Sequence, residues 1–247
     1  MDATGCFRLY RPMQITAIIL AAGKGTRMNS ALPKPLHAVG GRPMLAWSMD
    51  AAKAAGATAI ITVLGPDSGA IQSWLEDAPF VIQQEQRGTG DAVAAAHDML
   101  AGEDGIALVM FADNPLVSAA TLQEMARRVQ AGASIAVGAF HAENPASYGR
   151  VVTDADGAVL RIVEDRDATA VERGITLCNG GIMAVRTPLL FDLLSQVTND
   201  NAKGEYYLTE ITGIAVEHGH KIDCAVIDPT EFIGVDSRHG QARAEAA

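Results

Sequence analysis

The stretch that decides the fold covers residues 20–36 and reads LAAGKGTRMNSALPKPL. It follows directly on an apolar run at residues 15–20, which predicts a buried strand. Glycines let the backbone N–H groups approach phosphate oxygens closely, and the side chains of Arg27 and Lys34 add positive charge. A strand that ends in such a loop predicts a phosphate-binding site at this point of the chain.

Two common phosphate-binding loops do not fit this stretch. A Walker loop needs a glycine five residues before its Gly-Lys pair and a serine or threonine after it, but Ile18 and Gly25 hold those positions. The dinucleotide pattern G-x-G-x-x-G begins correctly at Gly23 and Gly25, but Met28 stands in place of its third glycine. The loop therefore belongs to neither class.

The composition is that of a soluble globular enzyme. The 247 residues are 49% hydrophobic and 19% charged, which suits one large α/β domain with a substantial core. A formal net charge of −10 argues against a general nucleic-acid binder, because such proteins need a basic surface. No apolar stretch approaches the ~18 to 20 residues that span a bilayer, and residues 1–13 lack the core of a signal peptide. We expect a cytoplasmic protein without a membrane partner, and the oligomeric state stays open.

The cysteines predict no special chemistry. Cys6, Cys178 and Cys224 lie far apart and lack a C-x-x-C spacing, so neither a disulfide framework nor a zinc site is indicated. We expect reduced, inert thiols at all three positions.

The first half of the chain predicts an α/β fold with a doubly wound, mostly parallel sheet. Short β-rich runs alternate with alanine-rich helical stretches, as in β-α-β units that place helices on both faces of a sheet. The predicted strands cover residues 15–20, 59–64, 80–83, 106–112 and 134–140, and the predicted helices cover residues 44–55, 68–76, 91–100 and 119–131. Ligands of such sheets bind beyond the carboxyl ends of the strands, so the segments after residues 20 and 112 should meet there.

The second half predicts a small antiparallel hairpin subregion. Two β-rich runs at 150–153 and 159–164 flank the turn Asp-Ala-Asp-Gly, whose Asp-Gly pair favours a hairpin. The remaining predicted elements are strands at 175–185 and 221–227 and helices at 188–197 and 206–218. Without a repeat or a linker rich in Pro, Gly or Ser, the chain is predicted to form one domain.

The phosphate loop resembles the signature of the sugar-1-phosphate nucleotidyltransferases, also called nucleotide-sugar pyrophosphorylases. The matching letters are L-A-A-G-x-G-T-R-M at 20–28 and P-K-P-L at 33–36. A second motif, Q-x-E-Q-x-G-T-G-x-A at 83–92, resembles one branch of the family, the uridylyltransferase half of the bifunctional enzyme that makes UDP-N-acetylglucosamine. The resemblance implies a Rossmann-like nucleotidyltransferase domain at 13–240, with an N-terminal extension at 1–12 and a C-terminal tail at 241–247. It does not extend to the β-helix domain of the bifunctional enzyme.

The second motif is a candidate for binding the base. The amides of Gln83 and Gln86 offer a donor and an acceptor to the edge of a pyrimidine, while Gly88 and Thr89 allow close approach. On the residues alone, a solvated polar strand end with a glycine-containing turn explains the motif equally well. The resemblance favours base binding. It also implies substrate contacts along the phosphate loop at Leu20, Ala21, Ala22 and Gly23.

Two aspartates are candidate metal ligands. Asp113 follows the predicted strand at 106–112, where it could simply cap the helix that begins near Ser118. In a triphosphate site, however, transfer between phosphates needs Mg²⁺ held by only one or two carboxylates. Asp113 with Asp236 would then hold the ion.

Motifs of the second half match the family in order and spacing. They read Y-G-R at 148–150, I-V-E at 162–164, C-N-G-G at 178–181 and N-A-K-G-E-Y-Y-L-T at 201–209. The resemblance implies that Gly149, Glu164 and Asn179 hold the sugar phosphate, and a carboxylate with a neutral amide can bind sugar hydroxyls as acceptor and donor. For Glu164 the alternative is an ion pair with Arg161 or Arg166 on a surface hairpin.

Three positions depart from the family pattern. Ala112 replaces the usual glycine before the metal-binding aspartate, and Gly180 replaces a common threonine, which removes one hydroxyl. Asp236 stands where the most similar branch has asparagine, although other branches have aspartate. These departures leave the identity of the sugar and the base open.

The features together predict a Mg²⁺-dependent enzyme that joins a sugar 1-phosphate to a nucleoside triphosphate and releases pyrophosphate. Arg27 and Lys34 are expected to act in catalysis by stabilising phosphate charge. The preferred substrates are UTP and N-acetylglucosamine 1-phosphate. The alternatives are another sugar phosphate or CTP with the same chemistry, and a regulatory protein that binds a nucleotide sugar without turnover.

Overall fold

The computed structural model describes residues 13–247, so the predicted extension at 1–12, with Cys6, lies outside the described residues. The strands are β1 (Gln14–Leu20), β2 (Ala38–Val39), β3 (Arg42–Pro43), β4 (Ala59–Leu64), β5 (Phe80–Ile82), β6 (Gly105–Phe111), β7 (Ile135–His141), β8 (Arg150–Thr153), β9 (Val159–Val163), β10 (Leu177–Arg186) and β11 (Ile222–Val226). The α-helices are α1 (Met44–Ala54), α2 (Gly69–Leu75), α3 (Thr89–Ala94), α4 (His97–Leu100), α5 (Ala119–Gln130), α6 (Ala170–Arg173), α7 (Thr187–Leu194), α8 (Glu210–Glu217) and α9 (Arg238–Ala246). None of these helices is long and apolar enough to cross a membrane.

Within the described chain, nine strands form one mixed, mostly parallel sheet, and β2 with β3 forms a separate two-stranded ribbon. The main path runs β11-β7-β10-β6-β1-β4-β5. Strand β1 pairs in parallel with β4 and β6, whereas β10 runs antiparallel to both β6 and β7. The hairpin of β8 and β9 joins the sheet through β10. The predicted fold class and the antiparallel subregion are both confirmed.

The sheet is covered on both faces because its central strands are apolar on both sides. Neighbouring residues of β1 belong to different core clusters: Ile18 packs with Val93 and Leu208 on one face, and Ile19 packs with Leu45 and Leu122 on the other. A strand buried on both faces is typical of a doubly wound sheet with β-α-β crossovers. The carboxyl edge of this sheet is left free to hold ligands.

Two predicted helices differ from the structure. The helix predicted at 91–100 is divided into α3 and α4, and the helix predicted at 206–218 begins only at Glu210. The second difference has a clear cause: Tyr206 donates its N–H to the Arg87 carbonyl at 2.7 Å and accepts from the Gly90 N–H at 2.8 Å. The backbone before α8 is therefore used to hold the 83–92 motif and cannot join the helix.

The end of the chain packs against the phosphate loop. Residues 241–247, expected as a tail, form most of α9, in which Ala244 is buried together with Met28 and Met44. The Gln241 amide also donates to the Ala38 carbonyl at 2.7 Å. Helix α9 therefore supports the segment that carries Arg27. The predicted domain boundaries stay a prediction.

The two cysteines of the described chain are free thiols. Burial raises the pKa of the Cys178 thiol and raises that of Cys224 to about 11. Because the thiolate is the reactive form, both residues are expected to be inert at neutral pH.

Gly180, one of the departures from the family pattern, is explained by Phe232. A Cβ atom at position 180 would overlap the Phe232 ring, which is buried and lies 5.3 Å from the Phe140 ring centroid. The space of the missing threonine side chain is thus filled by an aromatic ring. The departure changes core packing and does not open a hole in the site.

We expect Gly180→Ala to lower the free energy of unfolding by ~1–3 kcal/mol, because overpacking forces buried neighbours to shift. Gly69→Ala is the matched control, since Gly69 begins α2 and an added Cβ would meet none of the described atoms within 4 Å. Urea unfolding of both variants measures the difference. Equal stabilities would show that the Phe232 ring can move aside at little cost.

Candidate active site

A cavity of about 400 Å³ opens at the carboxyl edge of the sheet, beside the loop after β1. Ten of the predicted site residues line it: Leu20, Ala21, Ala22, Gly23, Lys34, Gln83, Gln86, Gly88, Thr89 and Asp113. Gly25 adopts φ 59°, and a Cβ there would come within 2.6 Å of Lys34 Cβ. The glycine therefore allows the loop to fold closely over the lysine.

Lys34 and Asp113 form an ion pair in this cavity. The Lys34 ammonium donates to the Asp113 carboxylate, and both side chains are largely buried. Lys34 lies in a short 3₁₀ turn that starts after Pro33, and Pro35 occupies the turn itself, so the backbone directions on both sides are restricted. The pair fixes the ammonium at the end of β6.

Asp236 reaches the same edge of the sheet through a backbone contact. The Val235 N–H donates to the Asp113 carbonyl at 2.8 Å, which brings the two aspartates together despite their separation in sequence. Asp236 pairs with Arg27, whose Nη1 lies 2.6 Å from Asp236 Oδ2. Each carboxylate thus has its own cation. Within residues 13–247, no group of three or more His, Cys, Asp or Glu side chains forms a metal cluster.

The end of the cavity that is predicted to bind the base contains the Gln83 amide. Gln83 is 3% exposed, so its side chain does not fit a solvated strand end, whereas residues 84–87 that follow it are exposed. Its Nε2 donates to the Gly88 carbonyl at 3.0 Å and to Asp91 Oδ2 at 2.7 Å. Both partners can only accept, so the NH₂ group must face them and the amide oxygen is left for a ligand. Arg87 holds Asp91 in turn, with its Nη2 2.8 Å from Asp91 Oδ1.

The other residues of the second motif contact neighbouring backbone. Gln86 donates its amide N–H to the Ala22 carbonyl, which connects the motif to the phosphate loop. Thr89 Oγ1 accepts from the Leu208 N–H at 2.9 Å. At Gly88, φ is 127° and a Cβ would approach the Tyr206 backbone within 2.8 Å, so only glycine fits. The motif is therefore held rigidly beside the cavity.

A second cavity of about 210 Å³ holds the predicted sugar-binding residues Gly149, Glu164 and Asn179. Thr89 and Phe111 line both cavities, so the two are adjacent. The Asn179 N–H donates to the Gly149 carbonyl at 2.8 Å, and Asn179 Oδ1 accepts from the Gly181 N–H at 3.0 Å. The side-chain NH₂ of Asn179 is left to bind a ligand.

Glu164 is half-buried in this cavity and does not pair with a neighbouring arginine. Its Oε1 accepts from Thr209 Oγ1 at 3.0 Å, whereas Arg161 pairs with Glu172. Burial raises the pKa of the Glu164 carboxyl, and the Thr209 hydrogen bond offsets part of that effect. A half-buried carboxylate with one hydrogen-bond donor is well suited to bind hydroxyl or amide donors of a ligand.

Several lining residues were missed in the sequence analysis. Glu205 lines the first cavity, and Ser147 and Thr209 line the second. Thr209 lies inside the N-A-K-G-E-Y-Y-L-T motif, so its position in that motif was the available signal. Its contact with Glu164 joins residues 45 positions apart and follows only from the packing of α8 on β9.

Comparison with known proteins places the chain in a family. A family model described as the MobA-like NTP transferase domain matches residues 17–191. The chain belongs to this family. The bifunctional protein GlmU of Maricaulis maris is 46% identical over 234 residues, which are 94% of this chain and 52% of that protein. GlmU of Hyphomonas neptunium is 44% identical over 237 residues, which are 94% of this chain and 51% of that protein.

The chain therefore spans about half the length of the curated relatives it matches, as the resemblance to one half of a bifunctional enzyme predicted. A crystal structure of UDP-glucose pyrophosphorylase complexed with UDP-glucose has a TM-score of 0.78 and covers 95% of this chain and 98% of its own. At 19% identity this likeness shows the fold alone. The predicted nucleotidyltransferase fold is confirmed.

The raised pKa of Glu164 predicts a pH-dependent stability. Because the folded-state pKa is raised, Glu164 contributes favourably to the free energy of unfolding below its ordinary pKa of 4.5. This contribution is lost as the pH rises through the raised pKa. We therefore expect Glu164→Gln to become more stable relative to the wild type between pH 4 and pH 8. Chemical unfolding at both pH values measures this change. Glu217→Gln, on the exposed end of α8, is the control, and a pH-independent effect of Glu164→Gln would contradict the expectation.

Proposed function

We propose that this NTP transferase domain transfers a nucleotidyl group from a nucleoside triphosphate, preferably UTP, to a sugar 1-phosphate, preferably N-acetylglucosamine 1-phosphate, and releases pyrophosphate. The observation that carries the proposal is the adjacency of two cavities that share Thr89 and Phe111. One cavity contains the glycine loop, Lys34 and Asp113, and the other contains Glu164 and Asn179. Two ligands bound in these cavities would meet near the end of β6.

The proposed reaction needs no covalent enzyme intermediate. A phosphate oxygen of the sugar 1-phosphate forms a bond to the α-phosphorus, and the bond from that phosphorus to the bridging oxygen of pyrophosphate breaks. Such transfers depend on positioning and on stabilising charge at the phosphoryl oxygens. Lys34, which lines the first cavity, would supply that charge together with Arg27, which lines neither cavity and pairs with Asp236. The backbone of the glycine loop would bind the triphosphate.

The two aspartates fit a magnesium ion. Asp113 and Asp236 are brought together by the contact between Val235 and Asp113, and their carboxylates are the ligands that Mg²⁺ takes from proteins when substrate phosphates complete its shell. When bound, the ion would neutralise charge on the triphosphate. In its absence, Lys34 and Arg27 neutralise the same carboxylates. Ion binding would thus free both cations to contact phosphate oxygens.

The orientation of the Gln83 amide supports the proposal that the cavity binds a uracil base. With its NH₂ group held by Gly88 and Asp91, Gln83 offers an acceptor to the cavity. The N3–H of uracil is a donor, whereas N3 of cytosine is an acceptor that would face the amide oxygen unfavourably in the same pose. Because CTP would lose this buried hydrogen bond, the site can discriminate strongly between UTP and CTP. CTP is therefore the less favoured alternative.

A screen for pyrophosphate release tests the proposal directly. Each of UTP, CTP, dTTP, ATP and GTP is combined with a set of sugar 1-phosphates and Mg²⁺, and the nucleotide-sugar product is identified by mass. The proposal expects turnover with UTP and N-acetylglucosamine 1-phosphate above every other pair. Binding of nucleotide sugars without turnover in any combination would favour the regulatory alternative.

Lys34 is expected to act mainly on the rate. An interaction that strengthens as charge develops lowers the barrier, and removing one typically costs ~10²- to 10³-fold in kcat. We expect this loss in Lys34→Ala at saturating substrates. Lys53→Ala, at the exposed end of α1, is the control and should match the wild type. A wild-type kcat in Lys34→Ala would remove Lys34 from the proposed mechanism.

We expect the two aspartates to contribute unequally to activity. Asp113→Asn should lose most activity, because it removes both the metal ligand and the charge that positions Lys34. Asp236→Asn should keep much of it, since the most similar branch of the family carries asparagine at this position. Rates across a Mg²⁺ titration compare the variants, and Asp113→Asn should need more Mg²⁺. Equal, mild losses would mean that Asp113 only caps a helix and that the metal site is elsewhere.

A further inference from the structure

Arg150 is a buried charged residue that the proposed chemistry does not use. It begins β8 directly after Gly149, and only 3% of it is exposed. Burying a guanidinium is unfavourable unless its donors are well used. Its contacts therefore indicate what the residue does.

The Arg150 guanidinium holds two chain segments at once. One terminal nitrogen donates to the Tyr148 carbonyl, and Nη2 donates to the Ala146 carbonyl at 3.1 Å and to Asp165 Oδ1 at 3.1 Å. Its Nε is left without a hydrogen-bond partner among the described residues. The two terminal nitrogens therefore make all the hydrogen bonds of this guanidinium, to the two carbonyls and to Asp165.

The loop that Arg150 holds is strained and lines the second cavity. Ala146 has φ 39°, a left-handed conformation that is unfavourable for alanine. Its N–H donates to Asn144 Oδ1 at 3.2 Å, and its carbonyl is held by Arg150. Residues 147–149 follow immediately and form one wall of the cavity.

Asp165 connects the same guanidinium to the end of the neighbouring strand, since Arg150 is registered with Val163 in the β8–β9 pairing. It follows Glu164, whose carboxylate faces the cavity and accepts from Thr209. Arg150 itself does not line the cavity. The guanidinium therefore connects the Ala146–Gly149 loop to the Glu164–Asp165 segment beyond the end of the β8–β9 pairing.

We propose that Arg150 is a positioning residue for the second cavity, which is the proposed site of the sugar phosphate. Arg150 sets the width of this cavity and thereby its affinity for the sugar. The proposal rests on the proposed function of that cavity. Lys34 and Asp113 lie in the other cavity, so Arg150 should act on binding of the sugar and leave the reacting phosphate groups in place.

Arg150→Lys tests the role while keeping the charge. A lysine has one compact ammonium and cannot reproduce the planar fork that spans both carbonyls and Asp165. We expect the KM for N-acetylglucosamine 1-phosphate to rise about tenfold or more, with kcat and the KM for UTP within about twofold of the wild type. Calorimetric Kd values should agree: UDP-N-acetylglucosamine should bind more weakly to the variant, and UDP should bind as before.

Arg161→Lys is the matched control on the same hairpin. Arg161 pairs with Glu172, its side chain is 55% exposed, and it lines neither cavity. All kinetic constants of this variant should match the wild type. Amide hydrogen exchange adds a readout that needs no substrate: residues 144–149 should exchange faster in Arg150→Lys and not in Arg161→Lys.

The outcomes separate this inference from the proposed function. An Arg150→Lys variant with unchanged constants, or with kcat and both KM values altered together, would overturn the positioning role. If this variant fails to fold, Asp165→Asn removes one charged partner, and a rise in the sugar-phosphate KM alone supports the role while unchanged values overturn it. A wild type that releases pyrophosphate from no substrate pair would instead refute the proposed function, and faster exchange confined to residues 144–149 would still show that Arg150 holds the loop.

Discussion

The parallel pairing of β1 with β6 is the constraint on which the site depends. Leu20 is registered with Phe111, and the Ala112 N–H continues the ladder by donating to the Leu20 carbonyl at 3.0 Å. The glycine loop and Asp113 therefore leave the sheet side by side. Because β1 is buried on both faces, a shift in this register would expose core residues, and the position of the loop relative to Asp113 is fixed by the hydrophobic core.

The same arrangement brings two cations and two anions together at the edge of the sheet. Lys34 with Asp113 and Arg27 with Asp236 form pairs, so the site is balanced in charge without a ligand. A triphosphate alone would have to compete with the carboxylates for both cations, whereas a divalent cation that binds the carboxylates removes that competition. Under the proposed function, this exchange of partners would couple nucleotide and metal binding, although each carboxylate is already paired.

The sequence predicted elements well where one local signal was sufficient. The strand at 59–64 matches β4 at both ends, because this mostly apolar run is bounded by Thr58 on one side and by the turn residues Gly65 and Pro66 on the other. The start of α8 was wrong because the Tyr206 backbone pairs with residues 87 and 90, and no local pattern reveals such a contact. The same limit applied to the candidate site: motif order located Gln83 and Glu164, but their partners Asp91 and Thr209 follow only from tertiary packing. Gly180 suggested a lost hydroxyl, and only the structure could show the Phe232 ring in its place.

The parallel half and the antiparallel half of the sheet contribute most of their lining residues to different cavities. Parallel strands β1, β4 and β6 present the glycine loop and the charged groups, and the antiparallel strands β8, β9 and β10 present the groups of the second cavity. The halves meet where the Asn114 amide donates to the Gly180 carbonyl at 3.3 Å, beside a register shift in β10 and φ 82° at Gly181. Strand β10 also pairs with β6 from Met183 to Arg186, and Thr89 and Phe111 line both cavities, so the two halves are joined along the sheet and beside the site. Under the proposed function, the sugar and the reacting phosphates would therefore be bound by different strands of one continuous sheet.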